Sequence, residues 1–239
     1  MVFHPTIAWI TLRAALGRRR ALLYAIPPLI LIGVSAILRL TSPADQSWPA
    51  RILGDFGFSV VLPLTALIIG TSVLGAEVDD GSVIHLLATP VPRRVIITTK
   101  FAVATAATIV FAAVPELIAG LIASGPRLAL GLFAGALAAA IVYNALFVCL
   151  STATSRALIA GLGYVVIWEG VLANLVGGAR ILSVSHYGLA VASSVAPGHA
   201  LKPGVGLATA CVLAAVVTAV TLVAAVYRLG SFTLRGETA

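Results

Sequence analysis

Charge is what this chain has least of: 10% of its 239 residues are Asp, Glu, Lys or Arg, against 60% hydrophobic. A mean hydropathy of +1.11 excludes a soluble domain, whose core would be filled long before so much apolar surface was used. Lysine is nearly absent. Its two occurrences, Lys100 before Phe101 and Lys202 before Pro203, leave no Gly-Lys-Ser/Thr phosphate-binding loop, so the chain does not bind ATP in that manner. Cysteine is as scarce: Cys149 falls near the inner end of one apolar run and Cys211 in the outer half of another, depths too different for a disulfide. The four histidines (His4, His85, His186, His199) are scattered, and the outer pair has no carboxylate or thiolate nearby, which argues against a metal site.

What is abundant is long apolar runs. Six of them, at 21–38, 56–76, 95–123, 128–150, 157–179 and 203–227, are long enough to cross a hydrocarbon layer of about 30 Å. In lipid each must satisfy its own backbone groups, so helices are expected. The expected fold is an all-α integral membrane protein, a single domain over 1–239 with six transmembrane helices. With both termini cytoplasmic, Arg13, Arg18, Arg19, Arg20, Arg93, Arg94, Lys100, Arg156, Arg228 and Arg235 face inward, and Arg39, Arg51, Arg127, Arg180 and Lys202 outward. Basic residues beside anionic lipid account for the net charge of +7 without nucleic acid. Arg18-Arg19-Arg20 imitates a signal peptide, but the run that follows comes late and lacks a small-residue cleavage site, so it is taken as the first span. The excess of Arg over Lys and the abundant Ala suggest a GC-rich bacterial genome, hence a bacterial plasma membrane.

Between the runs the sequence is equally specific. In residues 3–20, Ile7, Ile10 and Ala14 share a helical face while Arg13 and Arg18–Arg20 are basic, as in an interfacial helix on the inner leaflet. Pro27 and Pro28 are expected just inside the first span, where missing hydrogen bonds cost least. Residues 39–55 read as a short polar outer loop. Ser124-Gly125-Pro126-Arg127 is a tight turn, making the third and fourth spans antiparallel neighbours, and Gly131, Gly135 and Ala139 form a small-residue stripe for close helix approach. Residues 180–202 are too apolar for a free loop and too short to cross and return, so short half-inserted helices are expected there.

Two acids lie within spans: Glu116 after Pro115, and Glu169 after Trp168. Both are placed on the order of 10–15 Å below the outer surface, where a charge must be neutralised, paired or wet. Each is either a cavity-lining substrate contact, a proton-linked switch, or a hydrogen-bonded residue tying helices together, with Asn174, Tyr164 or Asn144 as partners. Glu116, Glu169, Asn144 and Asn174 make up the candidate substrate path.

The most distinctive segment is a polar island between the second and third runs. It opens with Glu77, Asp79, Asp80 and Gly81, passes through Val83-Ile84-His85-Leu86-Leu87, breaks at Pro90 and Pro92, and ends in Arg93, Arg94 and Lys100. A connection between spans needs only a few residues, so this one reads as a docking surface. The Glu77-x-x-x-Gly81 start, the apolar turn, the proline break and the cations resemble the signature segment of ABC type-2 exporter permeases. Residues Gly163 to Gly188 are similar to that family's fifth span and outer loop, and Tyr227 to Glu237 to its C-terminal end.

The resemblance implies an exporter subunit, not an enzyme, and the small outer loops and apolar interior favour an amphipathic or hydrophobic substrate such as an antibiotic, a peptide or a lipid. It implies a cytoplasmic ABC ATPase dimer as partner, a second permease copy, and ATP and Mg held by the ATPase, with no cofactor on this chain. It makes 77–92 a cytoplasmic coupling helix seated on the ATPase, with Glu77, Asp79, Asp80, Gly81, Val83, Ile84, His85, Leu87, Pro90, Arg93, Arg94 and Lys100 as coupling residues. The alternative is a proton-linked secondary transporter working through Glu116 or Glu169, although no inverted repeat is visible. A membrane enzyme would need a clustered constellation, and Asp79, Asp80 and His85 are the only grouping.

Overall fold

The computed structural model describes residues 5–15, 18–41, 48–79, 92–175, 177–197 and 201–235, and every regular element among them is helical. Helix α1 is Pro5–Ala15 and α2 is Arg18–Thr41. Helix α3 starts π-wound over Ala50–Val61 and continues as α-helix over Leu62–Asp79. Helix α4 runs Arg93–Thr108, widens over Ile109–Ala113 and resumes over Val114–Ser124. Helix α5 is Pro126–Ala153. Helix α6 joins Ala157–Gly163, a π-wound Tyr164–Leu172 and the short turn Ala173–Leu175. A 3₁₀ turn at Ala179–Leu182 leads into α7, Val184–Val195, and α8 is Leu207–Arg235.

Five of these helices are long and apolar enough to cross a membrane: Leu23–Thr41, Ile52–Leu74, Arg93–Ser124, Pro126–Ala153 and Leu207–Leu229. The fifth expected crossing, 157–179, is shorter: its apolar helix covers Ala157–Leu172, and the chain turns at Gly177-Gly178. At about 1.5 Å per residue that helix falls short of the hydrocarbon thickness unless flanking residues complete it. Two local expectations are corrected. Helix α2 begins at Arg18, so Pro27 and Pro28 lie in its interior and not in its first turn. Helix α3 begins at Ala50, so Asp55 belongs to a helix and not to the outer loop.

The widened turn in α4 has a local cause. Pro115 offers no N–H to the ladder and its ring crowds the preceding turn. The chain answers with a π turn, in which the Val114 N–H donates to the Ile109 carbonyl five residues back. Beyond Ser124, Gly125 adopts φ 95°, a conformation open to glycine, and the chain reverses into α5. Gly120 then packs so closely that a side chain there would come within 2.6 Å of the Ala129 Cα. The third and fourth apolar runs are thus an antiparallel hairpin.

Helix α5 is the axis of the molecule. Leu128, Leu132, Ala136, Ala139, Tyr143 and Phe147 on it are buried in the larger apolar cluster, with Leu53, Phe58 and Leu67 of α3 and Tyr187 and Ala192 of α7. The small-residue stripe does bring backbones together, and its occupant is α7. A side chain at Gly131 would meet Ala196 Cβ at 2.6 Å, and one at Gly188 would meet the Gly135 carbonyl oxygen at 2.9 Å. The connection after α6 is therefore a helix tucked against α5. A second cluster gathers Tyr24, Ile69, Val73, Ile96, Ala104, Val148 and Leu229 toward the Arg93 end of α4, with Ile7 of α1 against it.

Candidate functional site

The segment expected to couple to a partner falls largely outside the described residues: Asp80, Gly81, Val83, Ile84, His85, Leu87 and Pro90 all lie there. What the structure gives is its frame. Glu77 and Asp79 are in the last turn of α3, and α4 opens after Pro92, whose carbonyl accepts from the Val95 N–H at 2.8 Å. Arg93 and Arg94 stand exposed in that first turn. Cations are disfavoured at a helix N-terminus, by about 0.3–1 kcal/mol each, so helix stability alone does not account for the pair. Lys100 is the correction in this group. It is fully buried rather than on a docking surface, and its Nζ donates to the Val73 carbonyl at 2.8 Å. It braces α3 against α4, the two helices that carry the island.

The acids part company. Glu169 is 1% exposed and gathers four donors: Tyr164 Oη at 3.1 Å and the Val184 N–H at 2.8 Å on Oε1, Ser183 Oγ at 2.5 Å and Ser185 Oγ at 2.7 Å on Oε2. The π winding of Tyr164–Leu172 makes the first bond possible. Residues five apart stack when the ladder runs i to i+5, whereas in an α-helix they point well round the cylinder. The other three donors come from the start of α7, where N–H groups without intrahelical partners and the helix dipole favour a carboxylate. Tyr143 of α5 turns its hydroxyl toward the same carboxylate without reaching hydrogen-bond geometry.

The rest of the connection between α6 and α8 is tied to this anchor. Tyr187 Oη donates to the Ile181 carbonyl at 2.8 Å, and Arg180 Nε to the Ala173 carbonyl at 3.2 Å. The Gly204 N–H donates to His186 Nδ1 at 3.1 Å, which fastens the approach to α8. Burial pushes the His186 imidazole below its ordinary range, with Arg180 adding to that and Glu169 and Asp55 opposing it.

Glu116 is the opposite case. It is fully buried, and neither carboxyl oxygen has a hydrogen-bond partner among the described residues. It lies against Gly57 in the π-wound part of α3, where any side chain would collide with Oε1. Asn144 does not reach either acid: its Nδ2 donates to Thr108 Oγ1 at 2.9 Å and to the Ala140 carbonyl at 2.8 Å, joining α4 to α5. Asn174 is in the last turn of α6, and its side chain is outside the described residues.

Of the expected path residues, then, two are consumed in structural bonds and one acid stands alone. Sequence reasoning missed Ser183, Ser185, Gly57 and Thr108. Only Ser183 left a signal, as a serine directly before an apolar helix, the usual place for a cap. Its hydroxyl serves Glu169 instead. No group of three or more metal-binding side chains occurs among the described residues.

The profile of the ABC-2 family transporter protein matches residues 16–197. The chain belongs to the ABC-2 transporter family. No curated protein matches it. The family match covers α2 through α7, so both the braced frame around the island and the Glu169 anchor lie within the ABC-2 region. An ABC-2 chain is a membrane transporter component rather than an enzyme, which agrees with the apolar helices of this one.

Proposed function

We propose that this chain is the permease subunit of an ATP-driven exporter in a bacterial plasma membrane. It moves an amphipathic or hydrophobic substrate, in the class of antibiotics, peptides or lipids, and draws work from a separate ATPase dimer that holds ATP and Mg. Two permease chains, identical or paralogous, form the pathway. The observation that carries the reading is the ABC-2 match over residues 16–197. The geometry at the Arg93 end supports it: a polar island spliced between two helices that Lys100 locks together can pass a push from below into both at once. Arg93 and Arg94 add positive potential at the base of that lever, suited to an acidic partner surface. The remaining island residues from Glu77 to Pro90 supply its contact face. The substrate path runs past Glu116, with Glu169, Asn144 and Asn174 shaping its wall.

The proton-linked alternative gains no support from the geometry, because Glu169 is held by four donors and offers no relay with Glu116. The test is a mild-detergent pull-down of the tagged chain from its native membrane, with every subunit identified. A stoichiometric P-loop ATPase is the expected result. Pure chain that transports in liposomes without ATP would overturn the permease reading.

A further inference from the structure

Two buried acids sit in one bundle, and among the described residues one has four donors and the other none. An unmatched buried acceptor is costly and rare in native structures. Within a membrane bundle such a residue marks a substrate or ion path more often than a packing element. The surroundings of Glu116 favour the path. Its carboxyl lies on Gly57, whose missing side chain makes the room it occupies. Gly57 belongs to the π-wound half of α3, and Glu116 follows both Pro115 and the π turn Ile109–Ala113. Both helices depart from regular α winding close to where acid and glycine touch, and π segments gather at functional sites. Lys100 ties α3 to α4 at the Arg93 end, whereas around Gly57 and Glu116 both helices leave regular α winding, so this end of the seam is where they can part.

We propose that Glu116 is the binding carboxyl of the transport path and that it receives a protonated amine, the ammonium head of an amphipathic substrate, when α3 moves off it. A carboxylate is an acceptor with two oxygens and a full negative charge. An ammonium brings three N–H donors and the opposite charge, so one group satisfies the site. A hydroxyl or an amide brings fewer donors and leaves the charge unmatched. Glu169 cannot serve this purpose, because the start of α7 and Tyr164 already occupy it. The inference rests on the permease reading above and narrows its substrate to amine-bearing molecules.

The test uses the purified full chain in lipid nanodiscs, titrated with dansylcadaverine, a fluorescent lipophilic primary amine, and with its N-acetylated, uncharged analogue. The amine is expected to bind at least tenfold more tightly than the analogue, and Glu116→Gln should abolish that difference. Gln is nearly isosteric and Glu116 makes no hydrogen bond among the described residues, so melting of the variant is expected to match the wild type or exceed it. Gly57→Ala, which displaces the carboxyl without removing it, should also weaken the amine selectively. Equal binding of the two probes, no binding of the amine, or amine binding indifferent to Glu116→Gln each overturns the proposal. A co-purifying ATPase with no amine binding sinks this inference alone. Amine binding that depends on Glu116, with no ATPase partner, sinks the permease reading and leaves the carboxyl site standing.

Discussion

Gly135 and Gly188 touch through their backbones, with the Phe58 ring filling the space beside them. A side chain at Gly135 would come within 2.9 Å of Ala192 Cβ and 3.1 Å of Phe58 Cζ, so Gly135→Val must force α7 away from α5. Overpacking of this sort costs about 1–3 kcal/mol, and a lower melting temperature in detergent is the expected outcome. An unchanged melt would mean that α7 is not seated on the stripe. His186 makes a different demand, since only its neutral ring can accept from Gly204. Its value is lowered in the folded chain, so the unfolded chain binds the extra proton first. The His186 contribution is intact above the ordinary histidine range of about 6.5 and is lost as pH falls below it toward the depressed folded value. Melting temperature should drop between neutral and mildly acid pH, and His186→Asn should remove that part of the drop. Equal pH slopes in the two proteins would contradict the assignment.

At the scale of elements, the proposed lever is the feature with the clearest consequence. If the proposed coupling holds, replacing the exposed Arg93 and Arg94 with Ala should make ATP hydrolysis by the complex lose its response to substrate. Normal stimulated hydrolysis in that double variant would remove the pair from the coupling path. How far these elements could be read from sequence depends on how local their cause is. The long apolar runs and the Gly125 reversal were legible because length and a single glycine decide them. The fifth run, read as 157–179, is an apolar helix over Ala157–Leu172, shorter than the five long ones, and the chain turns at Gly177-Gly178. The stripe on α5 announced a close contact without saying with what. Its partner is not another span but a connecting helix. The partners of Glu169 were illegible, apart from Tyr164, because Ser183 and Ser185 reach it only after the chain has turned back through the 3₁₀ segment. Lys100 looked like a surface cation beside two others, and only the packing of α3 on α4 reveals it as a brace.

Over the whole molecule, burial is uneven. The apolar windows of α3 and α5 are each 61% buried, whereas those of α2 and α8 are 22% and 11% buried, so the last two are peripheral. Their exposed apolar faces, with Leu29, Ile37, Val212, Val216 and Val220 outward, suit lipid or a neighbouring helix and not water. The arrangement with both termini inside can be tested directly. In a chain with Cys149→Ala and Cys211→Ala, a single cysteine at Arg127 should react with a membrane-impermeant maleimide from outside, and one at Ser155 only after the membrane is opened. Both positions are exposed, so the reverse pattern would invert the topology.

The turn at Gly125 also bears on how the protein is made. Because α4 and α5 meet through so few residues, they can enter the bilayer together as a preformed hairpin. Only the short stretch around Arg127 has to be carried to the far side. Such a pair needs no long polar segment pulled through a translocation channel. It gives the nascent chain, before α7 and α8 have been synthesised, the central rod on which both later settle.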